Sequence, residues 1–501
     1  MRPTLLKGGP LLCPSLTHPT WAVSSSRGCL GGFMLRKIND HHVGVVPSAI
    51  VKRLPIVSIA LFGAAASLVV TRWSTYGAAS LYGVAVFTIL GTKLLLSLLP
   101  AKRWPAPNPR MRVGVIVTLY NEDPELLRQC LGSILNQTFQ PTHIVIIDDH
   151  SRSLDGHDAA QEYAAWYDHI SVIRQQSNLG KREALGEGFR ALAGRVDVFL
   201  CVDSDSYLEP NAIYEGMRPF RSRKTAAATG IVLPSNYNKN IITRLQDVRY
   251  INSFLGERAA YSKFGSVLCV CGALAFYRAN MVMRHLDDFL DQTFFGRPAV
   301  VGDDRHMTNR LLTEGRVVLV EGSISHTAVP EKLGHFVRQQ ARWGRSFFRE
   351  SIWALRNLGP GRCAWWLTLM EMAQWAIFST ILVYVVLIHP IVTGQILALQ
   401  YLIFVGLMAA TRAVRYFDLR RRDQSIWSRL TSFSVAPLYG YLSLFVLLPL
   451  RFYSLFTLRM AAWGTRNKVE VHSAVTNEST HFSRPRGRYR GGKIGILEDA
   501  A

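Results

Sequence analysis

The stretch Val198-Phe-Leu-Cys-Val-Asp-Ser-Asp205 decides how this chain reads. Its five apolar residues, valine at both ends, suit a short strand buried on both faces. Two carboxylates spaced by one residue follow directly. At a strand's carboxyl end such a pair can share a divalent cation, Mg²⁺ or Mn²⁺, and the diphosphate that the cation neutralises. An isolated Asp-x-Asp is more often a solvated turn, so its neighbours carry the decision.

Working outward, Val113-Gly-Val-Ile-Val117 and His143-Ile-Val-Ile-Ile147 are two more strands, with a helix from Pro124 to Leu135 between them. Strand, helix and strand at this spacing predict a parallel α/β sheet with ligands at the strand C-termini. Both strands end in polar residues, Thr118-Leu-Tyr-Asn-Glu122 and Asp148-Asp-His-Ser151. Asp148-Asp149 can accept hydrogen bonds from a base or ribose, with a helix or turn cap as the plainer alternative. Asn178-Leu-Gly-Lys-Arg182 combines a glycine-permitted turn with cations able to meet phosphates.

Farther along stands Gly302-Asp-Asp-Arg305. A sugar hydroxyl attacking an anomeric carbon must lose its proton, which calls for one positioned carboxylate, assigned to Asp304. Arg305 is expected to orient it, a structural salt bridge being the alternative. Gln339-Gln-Ala-Arg-Trp343 joins a cation that can neutralise a departing diphosphate to an indole face on which a sugar can stack.

Hydrophobic residues make up 49% of the 501 and concentrate near 54–99 and 365–458, leaving a polar block between. Leu54 to Val70 and Gly77 to Leu99 each approach the ~20 residues of a spanning helix. Lys52-Arg53 and Lys102-Arg103 flank them, which predicts a hairpin with cytoplasmic ends. Phe347 to Leu358 reads as an interfacial helix, and Trp365 to Ile388 with Ile391 to Ala410 as a second hairpin. The arginines between Arg412 and Arg429 predict a cytoplasmic segment. Phe433 to Met460 is short for two spans, leaving a short hairpin or a re-entrant segment open. The net charge of +22 follows from basic residues retained beside membrane spans and suits anionic ligands. No aromatic-plus-basic module points to nucleic acid. Seven cysteines, without paired CxxC units, give neither a zinc site nor a disulfide framework.

Together, Thr118-Leu-Tyr-Asn-Glu122, Asp148-Asp149, Asp203-Ser-Asp205, Gly302-Asp-Asp-Arg-His306 and Gln339-x-x-Arg342-Trp343 resemble the processive family 2 glycosyltransferases, which include hyaluronan, chitin and cellulose synthases. The run from Gly302 to Leu312 and the tetrad Trp463-Gly-Thr-Arg466 look most like the hyaluronan synthase branch. The resemblance covers roughly residues 80–466. It implies a catalytic fold of the GT-A type inserted between α-helical transmembrane segments. Tyr120, Glu122 and Asp149 would hold the nucleotide, with Lys181 near the diphosphate. Asp205, helped by Asp203, would bind the metal; Asp304 would be the base. Gln339, Arg342 and Trp343 would meet acceptor and leaving group, and Arg466 would lie in a segment closing over the nucleotide. Cys271 to Arg278 resembles the acceptor-side segment, although Gly272-Ala273 stands where the family has a Gly-Pro-type pair.

The expected organisation is a flexible cytoplasmic extension (1–50), a transmembrane hairpin (51–100) and a cytoplasmic catalytic domain (101–346). An interfacial helix with further spans follows (347–466), then a disordered basic tail (467–501). The resemblance implies a multi-pass plasma-membrane enzyme using UDP-glucuronate and UDP-N-acetylglucosamine, with a growing polysaccharide and membrane lipid as its other partners. No obligatory protein partner is evident in the sequence. A single-donor polymerase of the chitin-oligosaccharide kind is the alternative, and a non-catalytic transporter or nucleotide sensor a third reading.

Overall fold

A computed structural model of the chain describes residues 45–47, 61, 63, 78–384, 388–394, 398–421 and 424–460. Most of the expected N-terminal extension, nearly all of the first apolar run, the Trp463–Arg466 tetrad and the basic tail lie outside the described residues. Within the stretch expected to be a flexible extension, Val45–Pro47 is a short strand paired antiparallel with Leu419–Arg421. Two adjacent β-branched valines favour that extended pairing.

The strands of the central sheet are β1 (Val113–Leu119), β2 (His143–Asp148), β3 (Ile170–Arg174), β4 (Val198–Asp203), β5 (Ser206–Leu208), β6 (Thr225–Pro234), β7 (Ala275–Arg278) and β8 (Arg316–Thr327). They lie in the order β3-β2-β1-β4-β7-β6-β8-β5. The first four are parallel, in keeping with the expected parallel sheet. The rest is mixed, because β7 enters antiparallel between β4 and β6. A tight turn at Gly272–Leu274 leads directly into β7. The core strands are apolar on both faces: β1, β2, β4 and β6 are buried along nearly their whole length.

Helix α1 (Ala78–Leu98) packs on other helices, while α2 (Pro124–Leu135), α3 (Asp155–Trp166) and α4 (Lys181–Leu192) pack on or beside this sheet. Asp123 begins α2 by accepting from the Glu125 and Leu126 amides at 2.8 and 3.4 Å, and Pro124 occupies the first turn, where no amide donor is missed. Leu127, Cys130, Leu131 and Ile134 repeat every three or four residues and are fully buried. Under α4, Phe189 and Phe199 meet with ring centroids 5.0 Å apart. Truncating either to alanine would cost about 3–5 kcal/mol.

The later helices are α5 (Ile241–Ile251), α6 (Asp303–Leu312), α7 (Leu333–Asn357), α8 (Cys363–Val383), α9 (Ala398–Arg412) and α10 (Ile426–Phe456). The stretch from Phe347 read as an interfacial helix is helical and begins farther back, forming the second half of α7, a continuous helix of 25 residues. No proline interrupts Arg345 to Phe348, so nothing ends the helix at the expected boundary. In place of a short hairpin, residues 433–456 continue a helical path that starts at Ile426. Pro437 and Pro449 sit in first turns of its segments, and a π-helical turn at Ser443–Leu447 absorbs the irregularity. Among the described residues, α10 alone is long and apolar enough to cross a membrane, at 31 residues. Large apolar side chains point outward from the same region, including Trp366, Ile391, Trp427, Phe445 and Phe456.

Helix α5 and the segment joining α9 to α10 are held by a buried ion pair. Arg421 meets Asp247 with two hydrogen bonds, at 2.6 and 3.1 Å, and the Tyr416 hydroxyl donates to the same carboxylate at 2.7 Å. Asp247→Asn leaves the buried guanidinium without its counter-charge and should destabilise the protein by about 3–5 kcal/mol. Thermal unfolding of detergent-solubilised protein measures this, and an unchanged midpoint would count against the role.

Candidate active site

Strand C-termini, two helix starts and one long helix build the site. Past β1 the chain turns sharply: Asn121 adopts φ 45°, its amide donates to the Ser151 hydroxyl at 2.9 Å and its side chain accepts from the Arg152 amide at 2.7 Å. Asparagine tolerates this left-handed geometry better than most residues. The turn tucks Glu122 inward, where it accepts from the Ser204 hydroxyl at 2.8 Å. Tyr120 lies beside it on the cavity wall.

Asp149, after β2, accepts the Leu179 and Gly180 amides at 2.8 and 2.9 Å. Burial pushes its carboxyl up to about 6, against the lowering effect of those two bonds. Its side chain therefore shapes the turn that launches α4, besides facing the cavity. Lys181 is the first residue of α4, and its ammonium is ion-paired with Asp203 at the end of β4. Burial alone would depress this ammonium. The carboxylates of Asp203, Asp304 and Asp303 outweigh it and keep the lysine charged. Asp205 accepts from the Thr327 hydroxyl of β8 at 3.2 Å.

Asp303 and Asp304 open α6, but their surroundings differ. Arg182 takes Asp303 at 2.8 Å in a buried ion pair. Asp304 accepts the Gly272 amide at 2.9 Å and faces the cavity. Burial raises its carboxyl to about 6; Lys181 and the Gly272 amide oppose the shift, and the charges of Asp203 and Asp303 reinforce it. A carboxylate poised there is ionised at neutral pH and basic enough to take a proton. Arg305 does not orient it. The guanidinium reaches Glu371 of α8 at 2.9 Å and lies over the Phe347 ring, because the next residue along α6 points about 100° away from Asp304.

Gln339, Arg342 and Trp343 lie on one face of α7 and line the cavity. The Trp343 indole is 41% exposed, with the Arg249 guanidinium 5.4 Å from its ring centre. Arg249 also pairs with Gln340. Thus Tyr120, Glu122, Asp149, Lys181, Asp203, Asp205, Asp304, Gln339, Arg342 and Trp343 come together around one cavity of about 1060 Å³, while Arg466 lies outside the described residues. The sequence did not single out Arg249, Tyr250 and Glu371, which share the cavity. They sit in helical runs whose local pattern looks structural, and only the tertiary fold brings them in. Cys271 also lines it, but burial pushes its thiol up to about 12, so it is no nucleophile at neutral pH.

Among the described residues no group of three or more His, Cys, Asp or Glu side chains forms a metal cage. Two carboxylates spaced by one residue and open to a cavity still fit Mg²⁺ or Mn²⁺, which take one or two carboxylates together with substrate phosphates and water.

Residues 114–286 match the family model for glycosyl transferase family 2. The chain is 37% identical over 399 residues to a hyaluronan synthase of Streptococcus pyogenes, covering 78% of this chain and 91% of that protein. It is 34% identical over 373 residues to an N-acetylglucosaminyltransferase of Rhizobium sp. (strain N33), covering 74% and 79%. A mannosyltransferase from Pyrobaculum calidifontis, solved with GDP-Man and Mn²⁺, superposes with a TM-score of 0.50 at 19% identity, covering 73% of this chain and 97% of that one. That likeness establishes a shared glycosyltransferase fold.

Two outcomes follow from the geometry around Asp304. If Asp304 takes the acceptor proton, turnover at saturating donor falls about tenfold per pH unit below about 6, where its carboxylate becomes protonated. A profile flat down to pH 5 would remove Asp304 from that role. Gly272→Ala brings a methyl group within 2.8 Å of the Asp304 carboxylate. Displacing that carboxylate by a fraction of an ångström should lower kcat about tenfold or more while donor affinity holds, measured by initial rates and nucleotide binding.

Proposed function

This chain belongs to glycosyl transferase family 2, and we propose that it is a membrane-embedded processive polymerase that makes hyaluronan from UDP-glucuronate and UDP-N-acetylglucosamine and passes it outward. One observation carries the reading. The cavity holding Asp203, Asp304 and Trp343 is also lined by Lys93 of α1, Gln374 and Trp375 of α8, and Leu450 and Arg451 of α10. These helices present apolar faces outward, as segments in a bilayer of the plasma membrane would. A sugar chain extended beside Asp304 has continuous space toward those helices, so each addition can push the polymer along instead of releasing it. A hydrated or acidic polymer needs such a path, because hydrocarbon strongly disfavours charge.

In this mechanism the terminal acceptor sugar stacks on Trp343, and Gln339 holds it in register. The acceptor hydroxyl gives its proton to Asp304 as its oxygen attacks the anomeric carbon of the donor. The new C–O bond forms on the face opposite the departing diphosphate, so the anomeric centre inverts. The bond from that carbon to the diphosphate oxygen breaks, and UDP leaves with the electron pair. Lys181 and Arg342 offset the developing charge on the diphosphate. Tyr120, Glu122 and Asp149 frame the nucleotide. A divalent cation held by Asp205 and Asp203 would supply further neutralisation of the diphosphate.

Tyr453, near the end of α10, and Met460, just past it, line the same cavity, so the chain leaves α10 at the catalytic face. A single-donor polymer is the second reading, favoured by the 34% identity to an N-acetylglucosaminyltransferase.

Membranes carrying the protein, given Mg²⁺ and each UDP-sugar separately and together, discriminate the two. Polymer formed only with both donors, and digested by hyaluronidase, is the expected result. Polymer from UDP-N-acetylglucosamine alone would assign the single-donor activity. Asp304→Asn should lower either activity by about 10²- to 10⁴-fold; an unimpaired variant would overturn the enzymatic assignment of this site.

A further inference from the structure

Behind the cavity lies a second set of charged groups that the mechanism does not use. Glu350 of α7 and His306 of α6 are both completely buried. His306 Nδ1 meets Glu350 Oε2 at 2.8 Å, and the Gln292 amide donates to Oε1 at 2.7 Å. The Asn309 amide donates to the Glu350 carbonyl at 2.9 Å. Gln292 also accepts from Arg182 at 2.9 Å, and Arg182 in turn holds Asp303. The His306 ring is flanked by Phe289, stacked 6.0 Å away, and by Trp353, edge-on at 5.6 Å. A carboxylate taken wholly out of water is costly, and such a network specifies one arrangement better than an apolar contact would.

The contacts form a stripe. Arg349 donates to the Val301 carbonyl at 2.8 Å. At Gly302, with φ 100°, a methyl group would come within 2.3 Å of the Ser346 hydroxyl. Residues 346, 349, 350 and 353 therefore hold α6 along one face of α7, at helical spacing. Gln339 and Trp343 lie farther toward the start of the same stripe, where it faces the cavity. Base and acceptor platform thus belong to two helices joined by one buried seam.

We propose that Glu350 and His306 are positioning residues that lock the helix carrying Asp304 to the helix carrying Gln339, Arg342 and Trp343, and so set the acceptor hydroxyl against the base. The branch through Gln292 and Arg182 extends the lock to α4, whose first residue is Lys181. This rests on the reading of Asp304 as the base. A loosened seam leaves the nucleotide contacts of Tyr120 and Glu122 and the carboxylate of Asp205 in place, since they lie on other elements, but it lets water compete with a misplaced acceptor.

The test compares His306→Ala, Glu350→Gln and the milder Glu350→Asp in membranes, normalised to folded protein, with D304N as control. Each should lose about tenfold to a hundredfold in kcat while KM for both UDP-sugars stays within about threefold. The ratio of free sugar released to sugar transferred should rise. H306N, whose amide can still donate to Glu350, should recover at least about a third of wild-type turnover through the restored hydrogen bond. Should the first two variants fail to fold, Glu350→Asp, which keeps the charge but is one methylene shorter, carries the test. Folded variants with unchanged kcat and unchanged hydrolysis ratio would overturn the proposal, as would H306N as slow as H306A. An active D304N would instead overturn the reading of the base, separating the two failures.

Discussion

The site depends on the charge balance around one buried carboxylate. Asp304 stands between Lys181, which favours its ionised form, and Asp203 and Asp303, which oppose it. Burial adds to the opposition, because a low-dielectric pocket strengthens repulsion and removes hydration together. Arg182 relieves part of this by taking Asp303. The lysine cannot serve Asp304 alone, since it is also paired with Asp203. Removing any one of these charges would alter the basicity of Asp304 and the binding of the diphosphate at once.

The parallel half of the sheet was legible because each strand is a contiguous apolar run ended by polar residues. The expected strand 143–147 is observed as His143–Asp148, and helix Pro124–Leu135 is marked by its own cap and proline. The antiparallel entry of β7 had no such signal, since Ala275–Arg278 is four residues long. Motif residues converged on one cavity, yet the sequence could not say which of their neighbours were occupied. The pairing of Arg182 with Asp303 spans 121 positions, and Arg305 finds Glu371 across 66. Contacts that distant leave no local periodicity to read.

Arginines from the end of α9 to the start of α10 illustrate the same limit. Their number suggested a basic segment facing the cytoplasm; their pattern did not show that several turn inward as clamps. Arg415 is held by Asp418 at 2.6 Å and also donates to the Ser97 carbonyl at 2.6 Å. Arg429 donates to the Phe417 carbonyl at 2.8 Å, and Arg412 reaches Glu257 at 2.7 Å. A planar guanidinium with five donors suits the satisfaction of several carbonyls at once. These side chains join the end of α1, the segment after α5 and the last apolar helices into one packed unit.

Helix α10 is fastened near both ends. Arg244 of α5 donates to the Ser432 hydroxyl at 3.3 Å, and Ser454 donates to the Ala341 carbonyl of α7 at 3.2 Å. Pinned at two points, the helix has little freedom to shift on its own. Any displacement of its second half is passed through Ala341 to the helix that carries Trp343, so the wall of the cavity and that indole move as one body.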